Sequence, residues 1–315
     1  MNITGSAVRR IGGIVLFVAV MAFVAAYGVK TAGRLGSSIW AFDPPILLAA
    51  GLCVVIGYVN RFLTWLHAAR RFGLKSGLSR AGYMYFGSTL GKYVPGKVGL
   101  VLARAHMAGR GSRTLAVAST AVEYGASFAA AGTLGIAGFV TYSSPGRWSI
   151  PALAVGVAAM LLLIHPSSMR FFCRLYARLA GREVSLSIPP YPIVLRVYLG
   201  LIVTGLLNGF ALFLLLLSVS EGLGFADYPA IAGAYYLASM GGLLAVFAPG
   251  GLGVREGLLF LLLPSVVSEG LAVSSATVMR AMTLGAELLL AGLGWFACRR
   301  AGQAVDSEGS GSGSD

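Results

Sequence analysis

Seven apolar runs, at residues 11–29, 45–66, 114–142, 150–164, 193–217, 230–247 and 276–298, alternate with short segments that carry most of the basic side chains. A helix needs about 20 apolar residues to cross the hydrocarbon core of a bilayer, and most of these runs reach or approach that length. The pattern predicts an all-α polytopic membrane protein with six to eight transmembrane helices. Composition agrees: 57% of the chain is apolar and 11% charged, where a soluble chain carries roughly 25% charged residues. A water-soluble enzyme is thereby excluded.

The formal net charge of +13 comes mostly from arginine. Because the basic residues are spread between apolar runs, they read as topology signals and as contacts for anionic lipid headgroups, not as a nucleic-acid footprint. With the amino terminus in the cytoplasm, the cytoplasmic segments collect Arg9, Arg10, Arg70, Arg71, Lys75, Arg80, Arg104, Arg110, Arg113, Arg170, Arg174, Arg178, Arg182, Arg299 and Arg300. The opposite side keeps Lys30, Arg34 and Arg147. The positive-inside rule then places both termini in the cytoplasm, with the first run as an uncleaved anchor.

Smaller features add less. Arg170, Arg174, Arg178 and Arg182 recur every four residues opposite Phe171, Phe172, Leu175 and Leu179, which predicts a short interfacial helix or a basic loop. Cys53, Cys173 and Cys298 and the scattered His67, His106 and His165 have no metal-ligand spacing. GSTLGKY (87–93) fails as a phosphate loop because Tyr93 stands where Ser or Thr is required. No cofactor is expected. The Gly/Ser segment 301–315 reads as a disordered tail, leaving residues 1–300 as one membrane domain.

One pattern occurs twice. Pro95, Gly96, Lys97, Val98 and Gly99 spell Pro-Gly-x-aliphatic-Gly, and Pro249, Gly250, Gly251, Leu252 and Gly253 repeat it about half a chain later. Proline removes a helical hydrogen bond and glycine weakens the backbone, and irregular backbone at membrane depth is tolerated only where protein or a wet cavity satisfies it. Paired interruptions in corresponding positions of two halves point to a transporter's binding site. Residues 254–263 would span ~15 Å as a helix, about half of a 30 Å core, which suits a re-entrant segment. Two such segments make an inverted repeat with half-repeats near 1–145 and 146–300. If residues 230–247 and 254–263 both cross instead, the count is eight and both termini stay cytoplasmic.

Ionisable residues gather at these breaks. Lys92 and Lys97 bracket the first, Arg255 and Glu256 follow the second, and Glu123, Arg280 and Glu287 lie within the apolar runs that come next. A charge near the bilayer centre costs several kcal/mol unless paired or hydrated, so such residues are functional candidates. Arg280 and Glu287, seven apart, share a helix face. Arg61 reads as an arginine that snorkels to the interface.

GKYVPGKVGLVLARAHMAGRGSRTLAVASTAVE in the first half, and APGGLGVREGLLFLLL with the following run through Arg280 in the second, resemble the two signature regions of the lysylphosphatidylglycerol synthase transmembrane (flippase-like) family. The resemblance extends over about residues 61–294. It implies a multi-pass inner-membrane protein that moves a lipid with an anionic or modified headgroup between leaflets. Alternatively, it implies one that works beside glycosyltransferases or lipid-modifying enzymes on polyprenyl-linked sugars or hopanoid-type lipids. Pro95, Gly96, Arg104 and Glu123 match the first signature, and Pro249, Gly250, Gly251, Gly253, Glu256 and Arg280 the second. The family often has arginine after the glutamate matched by Glu123; here Tyr124 follows, which leaves the partner of Glu123 open. The aminoacyl-transfer domain of the two-domain synthases is missing, so synthesis of lysyl-lipid is not expected.

The expected function is lipid translocation, with Lys92, Lys97, Arg104 and Arg280 holding a phosphate headgroup and Glu123, Glu256 and Glu287 pairing with these cations in the empty state. The alternatives are a membrane glycosyltransferase and an accessory subunit of a lipid or glycan biosynthetic enzyme. For the former, the outward acids Asp43, Glu221, Asp227 and Glu269 form no close pair in sequence, and no catalytic constellation is visible.

Overall fold

The computed structural model describes residues 42–93, 99–143, 149–171, 189–245, 251, 253–263 and 266–311. The first apolar run, most of the basic segment after Arg170, and Pro95, Gly96, Lys97, Pro249 and Gly250 lie outside the described residues. Every regular element among the described residues is helical: α1 (Pro44–Arg71), α2 (Leu78–Thr89), α3 (Gly99–Ala108), α4 (Arg113–Ser143), α5 (Ser149–Leu163), α6 (Tyr191–Leu217), α7 (Tyr228–Leu244), α8 (Val254–Leu262) and α9 (Glu269–Gly311).

Local chemistry sets the boundaries. α1 starts with proline in its first turn, where the missing N–H costs nothing. It ends with Arg70 and Arg71 on the negative end of the helix dipole. The stop is a Schellman motif: Gly73 adopts φ +96°, its N–H donates to the Arg70 carbonyl (3.0 Å), and Leu74 N–H donates to the Ala69 carbonyl (2.9 Å). The closing helix α9 has helical backbone to Gly311, past the start of the segment that composition marks as a disordered tail. AGQAVDSE, ahead of the Gly/Ser repeats, contains helix-compatible residues and no proline.

α1, α6 and the Gly270–Ala301 portion of α9 are long and apolar enough to cross a membrane. α4 has 31 residues, and its interior is rich in alanine, glycine and serine because it packs on protein rather than on lipid. Ala126, Ala129, Ala130 and Ala131 are buried against α6 and α7. α1 and α6 join through polar side chains as well as apolar ones. Asn60 Nδ2 donates to the Gly200 carbonyl (2.7 Å) and to Thr204 Oγ1 (2.9 Å), the kind of interhelical hydrogen bond that secures packing where water does not compete.

The helices on either side of each break pack against each other. Arg104 on α3 donates to Ser88 on α2 (3.0 Å), and a Cβ at Gly91 would stand 2.7 Å from the Gly99 carbonyl oxygen, so the arms run antiparallel and nearly touch near the break. α7 and α8 are arranged likewise: a Cβ at Gly242 would meet Arg255 Cβ at 3.1 Å, and one at Gly251 would meet the Gly242 carbonyl oxygen at 2.7 Å. Gly251 and Gly253 also adopt φ of +71° and +82°, a region that side chains disfavour. Two of the three glycines of the second motif are therefore required by backbone conformation. α8 has nine residues, about 14 Å at 1.5 Å each, short of a crossing as the sequence predicts.

Candidate functional site

The α2/α3 and α7/α8 hairpins meet α1, α4, α6 and α9 around a cavity of about 480 Å³. Five cationic side chains line it: Arg61, Lys92, Arg104, Arg255 and Arg280. Each comes from a different piece of the fold, namely α1, the 3₁₀ turn Leu90–Tyr93, α3, α8 and α9. Three carboxylates approach these cations, on Glu123, Glu256 and Glu287.

Glu123 is 1% exposed and holds the first cluster. Its Oε1 accepts from Arg61 Nε and from the Tyr85 hydroxyl, both at 2.8 Å, and its Oε2 accepts from Arg104 Nη1 at 2.9 Å. Arg104, also 1% exposed, donates further to Ser88 and Thr120 and lies over the Tyr85 ring at 4.2 Å. One carboxylate thus ties α1, α2, α3 and α4 together, with its charge outnumbered by two guanidinium groups.

Glu287 holds the second cluster. Lys92 and the Tyr58 hydroxyl both donate to its Oε1, and the Tyr93 hydroxyl donates to Oε2 at 2.9 Å. Near it, Arg280 Nε faces Glu256 Oε1 at 3.8 Å, beyond hydrogen-bond length, while Glu256 Oε2 accepts the Gly253 N–H at 2.7 Å and so caps α8. Arg255 stacks on the Tyr235 ring at 4.4 Å, and its Nη2 has no hydrogen-bond partner among the described residues.

Lys92, Arg104, Glu123, Gly251, Arg255, Glu256, Arg280 and Glu287 all lie at or beside this cavity. Gly253 acts through the α8 cap. One expectation needs correction. Arg61 does not snorkel: it turns inward to pair with Glu123, because a carboxylate buried in the bundle is a stronger partner than the interface. Arg104 is buried in the bundle by the same carboxylate. Together these two arginines answer the question left open by Tyr124, whose ring instead lies 5.6 Å from the Arg61 guanidinium. The tyrosines that complete the clusters are Tyr58, inside the second apolar run, and Tyr85 and Tyr93, ahead of the first Pro-Gly motif; no spacing in the sequence tied them to Glu123 or Glu287. Arg61 was findable: it is the one arginine inside the second apolar run.

A family model described as the lysylphosphatidylglycerol synthase TM region matches residues 10–291. The chain belongs to that family. It is accordingly a multi-pass membrane domain of a family associated with lipid-related function. No curated protein matches it. In this member of the lysylphosphatidylglycerol synthase transmembrane family, both signature regions converge on the one cavity, through Lys92, Arg104 and Glu123 from the first and Gly251, Arg255 and Arg280 from the second.

Proposed function

We propose that the protein translocates a lipid with an anionic headgroup between the leaflets of a bacterial inner membrane, with both termini cytoplasmic and with the two hairpins as re-entrant halves of an inverted repeat. The observation that carries this reading is the charge of the cavity: among the described residues five cations line it, against three carboxylates beside them. A phosphate crossing hydrocarbon bears a cost of several kcal/mol that paired positive charge offsets, and an excess of arginine and lysine in the lining supplies that pairing. Arginine is suited to the task because its planar guanidinium binds phosphate through two parallel hydrogen bonds.

The carboxylates hold the cations in place. A phosphate entering beside Arg255 and Arg280 competes with Glu256 for Arg280, which faces it at 3.8 Å. The stronger clusters at Glu123 and Glu287 keep the surrounding helices fixed while this happens. Leaflet exchange of a fluorescent anionic phospholipid by the reconstituted chain tests the reading, and no movement above protein-free vesicles would reject it.

A further inference from the structure

α4 and α7 run antiparallel and touch backbone to backbone at one end: a Cβ at Gly233 would stand 2.6 Å from the Leu134 carbonyl oxygen, and one at Gly138 would stand 2.7 Å from the Pro229 carbonyl oxygen. At the opposite ends of the two helices, Val117 and Ala121 of α4 and Leu244 of α7 line the cavity and are exposed among the described residues, Val117 by 36% and Leu244 by 66%, so the lining includes an accessible apolar slot. Buried Thr120 and Glu123 stand beside these two α4 residues on the inward side. Val117, Ala121, Tyr124 and Phe128 follow one helix face, at spacings of four, three and four, and all line the cavity. One cavity lining thus combines the buried cations Arg104 and Arg280 with exposed apolar side chains.

We propose that this slot between the amino-terminal half of α4 and the carboxyl-terminal end of α7 is a lateral portal and tail groove. A phospholipid enters sideways, its phosphate moving to the cations while an acyl chain remains against Val117, Ala121 and Leu244. The occupant is a lipid tail rather than a protein segment because the slot is continuous with the cation-lined cavity. An amphiphile with an anionic head and an apolar chain matches both ends at once. The proposal rests on the anionic-lipid reading above and adds where the lipid enters and which residues its tail touches.

The test is photolabelling of the full chain in vesicles, using an anionic phospholipid with a diazirine in one acyl chain and, separately, a zwitterionic phospholipid with the same chain. Val155 on α5, 70% exposed and outside the cavity lining, reports ordinary bilayer contact. The expected result is that the anionic lipid labels Val117, Ala121 and Leu244 about tenfold more, relative to Val155, than the zwitterionic lipid does, a preference of about 1.4 kcal/mol. The same ratio for both lipids overturns the portal. Ala121→Trp should abolish the enrichment at Val117 and Leu244 with an unchanged thermal midpoint, and Leu244→Trp serves if Ala121→Trp fails to fold. Enrichment that survives a folded blocking variant also overturns it. Enrichment without leaflet exchange keeps the portal and removes the translocase, whereas exchange without enrichment does the reverse.

Discussion

Arg104 and Glu123 meet at 2.9 Å between α3 and α4, each only 1% exposed. The pair joins the first hairpin to the longest interior helix through an ion pair that Arg61 completes from α1. Removing one member of a buried ion pair costs about 3 to 5 kcal/mol because its partner is left charged without compensation. Glu123→Gln strands two guanidinium groups. It is expected to lower stability by at least that amount, read as a fall in unfolding midpoint in detergent, while Tyr124→Phe leaves the midpoint close to the parent's.

Lys92 and Glu287 offer a cleaner separation of pairing from burial. Neutralising either alone, by Lys92→Met or Glu287→Gln, leaves the other charge without its ion-pair partner. Neutralising both removes it. A double-mutant cycle on thermal stability is expected to give a coupling of about 1 to 3 kcal/mol, with the double variant more stable than either single one. Additive losses would mean that the two groups are not coupled.

How much of this was legible in the sequence depends on the physics of each element. The described apolar runs are helices because a 20-residue apolar segment has few other ways to satisfy its backbone in lipid, and in the second Pro-Gly motif Gly251 and Gly253 serve positive φ. Arg61 was misplaced because a snorkelling assignment reads only the cation's own apolar run, whereas Glu123, 62 residues from Arg61 in sequence, sets its position in space. Tyr58, Tyr85 and Tyr93 were invisible for the same reason, since a tyrosine on an apolar helix becomes a ligand for a carboxylate only when the fold brings one to it.

Glycine substitutions separate packing from helix propensity. At Gly233 an added methyl meets the Leu134 carbonyl oxygen, which is backbone and cannot rotate away. At Gly257 on α8 nothing lies within 4 Å. Gly233→Ala should therefore destabilise the α4/α7 contact, while Gly257→Ala should be neutral or stabilising by up to about 1 kcal/mol. The unfolding midpoints of both variants check this, and equal losses would contradict the close approach at Gly233.

Arg255 is the cation whose removal should affect function more than stability. It stacks on Tyr235 and its Nη2 has no hydrogen-bond partner among the described residues, so Arg255→Gln forfeits about 1 kcal/mol of cation–π attraction rather than a full buried ion pair. Its unfolding midpoint should lie well above that of Glu123→Gln.

The most direct measurement is leaflet exchange in proteoliposomes of two phospholipids with the same fluorescent acyl chain, one anionic and one zwitterionic, read by an impermeant quencher added outside. The expected result is rapid exchange of the anionic lipid, exchange of the zwitterionic lipid at the protein-free rate, and a loss of about tenfold, or 1.4 kcal/mol, in anionic exchange by folded Arg255→Gln. Equal rates for the two lipids, or an Arg255→Gln variant as fast as the parent, would contradict a cation-lined cavity as the translocation site.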